Sequence, residues 1–185
     1  MIRQHLPIGI PDGVEAEWVS EGGDVKEAVL WSPALSTTER RATVIPASGS
    51  GQGSGLVSLT DEDDPYSGLE RPVRDVGEFL YEPDGAVIRA GLVTAVAAGV
   101  EGGLVDEHIA YVTSDEAFHT PFARSYRVLE ALPYREKQLK AALRERGIGR
   151  LTIKKRGVEV VPDELRKRLD LRGDNEGTLV LTRVD

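Results

Sequence analysis

A glycine- and serine-rich run at residues 47–55 divides the chain into two parts with different patterns. Its composition, Ala-Ser-Gly-Ser-Gly-Gln-Gly-Ser-Gly, is typical of a flexible linker rather than of a packed element. The acidic residues 61–64 follow it and indicate a solvated loop. We therefore place a linker at 47–76, between a first segment at 1–46 and a second segment at 77–185.

The first segment has the period-two alternation of β-strands. Residues 15–20 and 25–31 both alternate around a glycine-rich turn, which predicts a hairpin, and residues 41–45 predict a third strand. Three short strands make a poor free-standing domain. We expect them to belong to a larger sheet, or to pair across a homodimer through unpartnered edges that carry Trp18 and Trp31.

The second segment alternates between helix and strand signals. Helices are predicted at 84–98, 134–146 and 162–168, and strands at 109–113, 126–132, 151–156 and 178–184. The whole chain is therefore predicted to be a mixed α/β protein. A small antiparallel β segment precedes a compact α/β domain whose helices pack on a mixed sheet.

Residues suited to covalent catalysis or metal binding are scarce. The chain has no cysteine, which excludes disulfides, thiolate metal sites and cysteine nucleophiles. His5, His108 and His119 lack the spacing of metal ligands. The glycine run at 47–55 is neither led into by an apolar strand nor followed by a helix, as a nucleotide-binding loop would be. We predict no catalytic, cofactor-binding or metal-binding residue in this chain.

The sequence also bears on where the protein is found. No run of about 18 apolar residues is present, so no transmembrane helix is expected. The first residues lack the apolar stretch of a signal peptide. We expect a cytoplasmic protein with no membrane partner.

Charge is sorted along the chain. Residues 1–120 contain 7 Lys/Arg and 21 Asp/Glu, a balance of −14, whereas residues 121–185 contain 16 and 10, a balance of +6. Such asymmetry is typical of a segment that faces a polyanion beside one that keeps the protein soluble. The alternative is that two neighbouring domains differ only in their solvated faces.

The basic part supplies candidate nucleic-acid-binding residues. On the predicted strand at 151–156, Lys154 and Arg156 share one face and Lys155 lies on the other. The full candidate set is Lys154, Lys155, Arg156, Arg144, Arg150, Arg166 and Lys167. Contacts between such side chains and phosphates give affinity without reading sequence. As the alternative, the cations at 166–168 complement the carboxyl end of their helix and Lys154 is merely solvated.

Several separated motifs resemble a known family. They are the segments 81–91, 109–115, 120–124, 149–157 and 179–184. In this order they resemble the THUMP-like domain at the C terminus of class I methyltransferases of actinobacteria. The strands at 17–20 and 25–31 look like the last strands of the methyltransferase domain that precedes it.

The resemblance implies a parent protein that binds S-adenosylmethionine and methylates a substrate. The family's glycine-rich cofactor loop and catalytic motif have no counterpart here and are expected upstream of residue 1, so the catalytic domain is a missing partner. Related THUMP domains hold structured RNA, which makes transfer RNA or ribosomal RNA the implied partner. The alternative is a structural or oligomerising domain that completes a methyltransferase and binds no RNA directly.

If the chain completes a methyltransferase, four residues are candidates to line a cleft that faces the missing domain: Tyr81, Glu82, Asp84 and Arg89. Tyr81 or Tyr111 is also a candidate to stack on an unpaired base. The competing interpretation is that both tyrosines are buried, that Asp84 caps a helix and that Arg89 pairs with Glu82 or Asp84.

Overall fold

The period-two segments form one sheet in the structure, a computed structural model that describes residues 9–46, 55–66 and 72–184. Its strands are β1 (Glu15–Glu21), β2 (Asp24–Trp31), β3 (Arg40–Ile45) and β4 (Val57–Thr60), in the order β2-β1-β3-β4. β1 pairs antiparallel with β2 and parallel with β3, and β3 pairs antiparallel with β4. The hairpin and third strand lie where the sequence predicts them. β4 completes the sheet from within the expected linker, so this sheet is mixed rather than antiparallel.

Two of the acidic residues after β4, Asp61 and Asp64, anchor the fold, whereas Glu62 and Asp63 are exposed as a solvated loop predicts. Asp61 accepts a hydrogen bond from the Thr38 hydroxyl at 2.6 Å. Asp64 is buried and accepts one from the Thr94 hydroxyl at 2.7 Å. A buried carboxylate is tolerated when such donors compensate its lost hydration. These bonds fasten the segment after the glycine run to the elements on both sides of it.

The helix predicted at 84–98 is two helices, α1 (Gly85–Ala90) and α2 (Val93–Gly99). Asp84 caps the first, since its Oδ1 accepts a hydrogen bond from the Ala86 N–H at 2.8 Å. Gly91 ends α1 in the left-handed region, at φ 74°. The apolar periodicity continues across this glycine, which is why the sequence pattern predicts a single helix.

A second sheet follows the helices. Its antiparallel strands are β5 (Phe79–Pro83), β6 (Gly103–Asp106), β7 (Ile109–Ser114) and β8 (Ala123–Arg127), in the order β6-β7-β5-β8. α1 packs on the first sheet and α2 on β6 and β7. Trp18 and Ala42 of the first sheet share one hydrophobic core with Val87, Val96 and Val112.

The remaining elements are α3 (Glu136–Glu145), β9 (Ile148–Arg156), α4 (Pro162–Leu169) and β10 (Asn175–Thr182). β9 and β10 form a two-stranded parallel sheet. Both helices contribute to a separate core with this sheet, made of Leu139, Ile148, Leu151, Leu165, Leu169 and Leu181. Gly149 and Gly173 allow a close backbone approach in this region, because a Cβ on Gly149 would overlap the Gly173 carbonyl oxygen.

The chain divides into a first unit, Met1–Val128, and a second unit, Leu129–Asp185. The mixed α/β class is confirmed. The division does not coincide with the predicted linker at 47–76, since residues on both sides of that linker share the first unit's core. The strands after residue 77 likewise belong to two sheets, one in each unit, and not to a single mixed sheet. No helix among the residues that the structure describes is long and apolar enough to cross a membrane.

Candidate nucleic-acid interface

The two faces of the β9–β10 sheet differ in chemistry. Leu151 and Leu181 lie on the face that packs in the second unit's core. Alternation places every other residue of β9 on the opposite face, and the register brings hydroxyl residues of β10 beside them. We call this surface the open face and define it by Arg150, Thr152, Lys154 and Arg156 of β9 and by Glu176, Thr178, Val180 and Thr182 of β10. Thr152 and Thr178 are exposed, and Lys154 and Arg156 are half-buried.

The seven predicted cations do not all lie on one surface. Three of them, Arg150, Lys154 and Arg156, belong to the open face. Lys155 alternates to the face that bears the core, where it lies exposed at the strand's end. The other three belong to the helices, Arg144 to α3 and Arg166 and Lys167 to α4. The structure therefore supports the open face as the candidate site and leaves the helical cations apart from it.

Arg150 and Arg166 are paired with carboxylates. Arg150 Nε lies 2.6 Å from Glu176 Oε1, which joins β9 to β10 across the register. Arg166 Nη1 lies 2.6 Å from Asp163 Oδ1 within α4. All four side chains are largely exposed. Exposed pairs of this kind contribute about 0–1 kcal/mol, so a phosphate can displace the carboxylate at low cost.

The helical arginines support the fold directly. Arg144 Nη2 donates to the Asp170 carbonyl oxygen at 3.3 Å, just beyond the end of α4. Arg166 Nε donates to the Leu151 carbonyl oxygen of β9 at 3.2 Å. Helix ends and strand edges leave such carbonyls without intrahelical or ladder partners. Arg144 and Arg166 thus have structural tasks that the sequence pattern does not reveal.

An ion pair that the sequence does not indicate fastens α3 to α4. Arg168 Nη2 lies 2.9 Å from Glu136 Oε1, and Arg168 Nε bonds both Glu136 oxygens. Hydrogen bonds from Arg168 lower the pKa of Glu136, and Glu136 in turn raises the pKa of Arg168. Nothing local marks this pair, because its members are 32 residues apart. Arg168 is therefore engaged between the helices.

The tyrosines proposed as stacking residues are buried. Tyr81 is fully enclosed, and its hydroxyl donates to the Glu116 carbonyl oxygen at 2.9 Å and accepts from the Phe118 N–H at 2.8 Å. Tyr111 is also fully enclosed. A base cannot reach either ring, so the prediction that one of them stacks on RNA is wrong. The competing interpretation, in which both belong to the core, describes the structure.

The predicted cleft residues have separate roles. Tyr81 lies in the core, and Asp84 is half-buried and caps α1. Glu82 accepts a hydrogen bond from the Tyr126 hydroxyl at 3.2 Å, between the neighbouring strands β5 and β8. Arg89 is exposed on α1. Core packing and helix capping are the structural roles of Tyr81 and Asp84, and their place in a cleft that faces a catalytic domain stays a prediction.

The segment that matches a known protein family includes the open face. Residues 123–185 match the family described as THUMP domain-like. The second unit lies within this match, and we call it the THUMP-like domain after the family that it resembles. The match begins within β8 and is shorter than the predicted range of 77–185. It contains all of β9 and β10, and therefore the whole open face.

Relatives of known sequence extend the similarity beyond the THUMP-like domain. Two proteins of Mycobacterium tuberculosis, from strains CDC 1551 / Oshkosh and ATCC 25618 / H37Rv, are each 38% identical over 172 residues. Both are named uncharacterised S-adenosylmethionine-dependent methyltransferase. The alignment covers 92% of this chain and 44% of each relative, so the chain spans less than half their length. The resemblance to actinobacterial methyltransferases is confirmed.

A solved structure shares the fold. The crystal structure of a protein from Porphyromonas gingivalis W83, provisionally described as a methyltransferase, matches with a TM-score of 0.70 at 24% identity. The match covers 93% of this chain and 43% of that one. Both the first unit and the THUMP-like domain are therefore parts of a fold found in a longer protein.

The glycine run does not join a strand to a helix, as the loop of an S-adenosylmethionine site does. A nucleotide-type cofactor of this kind is held where a glycine loop joins a strand to the N terminus of a helix. Here the glycine run lies between β3 and β4, so the element that follows it is a strand. Residues 47–54 themselves lie outside the described residues. The THUMP-like domain likewise begins α3 and α4 without such a loop.

Proposed function

We propose that this chain is the RNA-binding, substrate-presenting module of an S-adenosylmethionine-dependent methyltransferase, acts in the cytoplasm and is not catalytic by itself. The charge of the THUMP-like domain carries the proposal. Residues 129–185 contain 14 Lys/Arg and 10 Asp/Glu, a net +4, whereas residues 1–128 contain 9 and 21, a net −12. A polyanion would therefore be attracted to the THUMP-like domain and repelled by the first unit.

We assign the attraction for a polyanion to the open face. Lys154 and Arg156 lie two residues apart on β9, about 6.6 Å along the strand, with Arg150 further along the same face. Their contacts with phosphates would hold folded RNA, such as transfer or ribosomal RNA, without selecting a sequence. Methyl transfer would belong to the catalytic domain of the parent protein, which would bind the S-adenosylmethionine.

Titration with folded transfer RNA at about 50 and about 200 mM salt tests the proposal, because phosphate contacts lose affinity steeply over this range. The variant Lys154→Glu/Lys155→Glu/Arg156→Glu should bind weakly and with a shallower salt dependence. The control Lys26→Glu/Arg127→Glu/Lys137→Glu reverses three exposed cations that are not candidates and changes the net charge equally. Equal loss of binding in both variants, or salt-independent binding, would reject the proposed site.

One observation favours the structural alternative, in which the chain oligomerises and binds no RNA. β2 is an edge strand of its sheet, and it carries Leu30 at 63% and Trp31 at 37% exposure. Exposed apolar groups on an edge strand favour pairing with another chain. Sedimentation equilibrium distinguishes the two functions. A dimer that Leu30→Ser/Trp31→Ser converts to a monomer supports the alternative, and a wild-type monomer removes it.

A further inference from the structure

Aromatic residues are nearly absent from the THUMP-like domain. Residues 129–185 contain a single aromatic residue, Tyr134, which precedes α3 and donates a hydrogen bond to Glu136 at 3.2 Å. Proteins that bind single-stranded RNA stack unpaired bases on aromatic side chains. Neither β9 nor β10 offers such a ring, so the open face has no aromatic platform for a splayed base.

Apart from Val180 beside Lys154 and Glu176 beside Arg150, the open face consists of cations and hydroxyl groups. The register places Thr152 beside Thr178, and Arg156 beside Thr182. A hydroxyl both donates and accepts hydrogen bonds, so it can bond a phosphate oxygen or a ribose 2′-hydroxyl. Double-stranded RNA is recognised mostly through these two groups, since its deep major groove hides the base edges.

We propose that the open face selects double-helical RNA, with Lys154 and Arg156 on phosphates and Thr152 and Thr178 on ribose 2′-hydroxyls. This inference rests on the proposed function, because it names the class of RNA that the domain holds. It has two consequences. A helix is preferred over a single strand of RNA, and an RNA duplex is preferred over a DNA duplex of the same sequence, which lacks the 2′-hydroxyl.

Three probes test the two preferences separately: an RNA duplex of about 16 base pairs, a DNA duplex of the same sequence, and an unstructured RNA strand of equal length. Fluorescence anisotropy with the full chain at about 50 mM salt measures each affinity. We expect the RNA duplex to bind about tenfold more tightly than the single strand, because the single strand lacks the aromatic stacking that contributes about fivefold to 150-fold per base where a platform exists.

Thr152→Val/Thr178→Val removes both exposed hydroxyls and suits a strand, so folding should be retained. Affinity for the RNA duplex should fall by about fivefold or more, and affinity for the DNA duplex should not change. Ser125→Val, at an exposed hydroxyl on β8 of the first unit, is the control and should change neither.

The outcomes are distinct. Single-stranded RNA that binds as tightly as the duplex overturns the selection of helices and leaves RNA binding intact. Equal affinity for RNA and DNA duplexes, unchanged in Thr152→Val/Thr178→Val, overturns the role of the hydroxyls. Failure of every probe to bind rejects the proposed function, and this inference with it.

Discussion

Arg41 and Glu15 form a buried ion pair between adjacent strands of the first unit. Arg41 Nε lies 2.6 Å from Glu15 Oε1, and the Glu15 side chain is only 3% exposed. The other Glu15 oxygen accepts the Thr37 N–H at 2.8 Å and so holds the connection between β2 and β3. Burial by itself would raise the pKa of Glu15, but the hydrogen bonds from Arg41 and Thr37 outweigh it and lower the pKa below its ordinary value of 4.5.

This pair predicts a stability that depends on pH. Because the folded pKa lies below the unfolded one, the contribution of Glu15 is present above pH 4.5 and is lost as the pH falls through the folded pKa. Glu15→Gln should cost about 1–3 kcal/mol near neutral pH, since hydrogen bonds to a charged group are removed. Urea unfolding at about pH 7 and about pH 3.5 should show the difference from wild type shrinking in acid.

Glu27→Gln is the control for this prediction, since Glu27 is an exposed carboxylate on β2. It should leave the urea midpoint nearly unchanged at both pH values. A Glu15→Gln deficit that is equally large at both pH values would contradict the lowered pKa of Glu15.

The break between α1 and α2 predicts an unequal response of two glycines to the same change. Gly91→Ala should destabilise the first unit by about 1–2 kcal/mol, because its φ is 74° and its new Cβ would meet Arg40 Nη1 at 3.0 Å. Gly99→Ala, with no atom within 4 Å of its Cβ, should be neutral or slightly stabilising. Thermal unfolding of both variants measures the difference, and equal midpoints would refute it.

Local patterns predict much of the fold and fail where packing decides. The alternation of apolar and polar residues predicts β1 to β3. A proline at the first position, acidic residues in the first turn and basic residues in the last turn predict α4. β5 is missed because it is a short strand that ends in Pro83. The predicted linker at 47–76 differs from the division into units after Val128, because glycine and serine composition is a local property. By contrast, the packing that places Trp18 and Val112 in one core, on either side of the glycine run in sequence, depends on the whole fold.

The sequence predicts which basic residues the candidate site contains, but only part of their arrangement in space. Alternation along one strand is enough to place Lys154 and Lys155 on opposite faces. The partnership of Arg150 with Glu176 depends on the parallel register of β9 and β10, which is set by the second unit's core and the turns around it. No spacing within the sequence encodes that register, so the carboxylate that restrains Arg150 could not be predicted.

The two tryptophans should report different environments. Trp18 is 4% exposed in the core, whereas Trp31 is 37% exposed and donates to Glu17 Oε2 at 2.7 Å. In Trp18→Phe the remaining emission should be red-shifted and quenched by acrylamide, and in Trp31→Phe it should be blue-shifted and protected. Protection of Trp31 that disappears on dilution would instead indicate that β2 is covered by a second copy.

Glu176 should restrain RNA binding by occupying Arg150. Glu176→Gln removes the 2.6 Å ion pair while keeping the shape of the side chain, so Arg150 becomes available to a phosphate. We expect affinity for the RNA duplex to rise severalfold at low salt, with a logarithmic salt slope steeper by about one, the amount one additional phosphate contact adds. Glu159→Gln removes the same charge from an exposed position of the same unit. A gain of equal size in both variants would show that only net charge matters, whereas a gain confined to Glu176→Gln places the RNA on the open face.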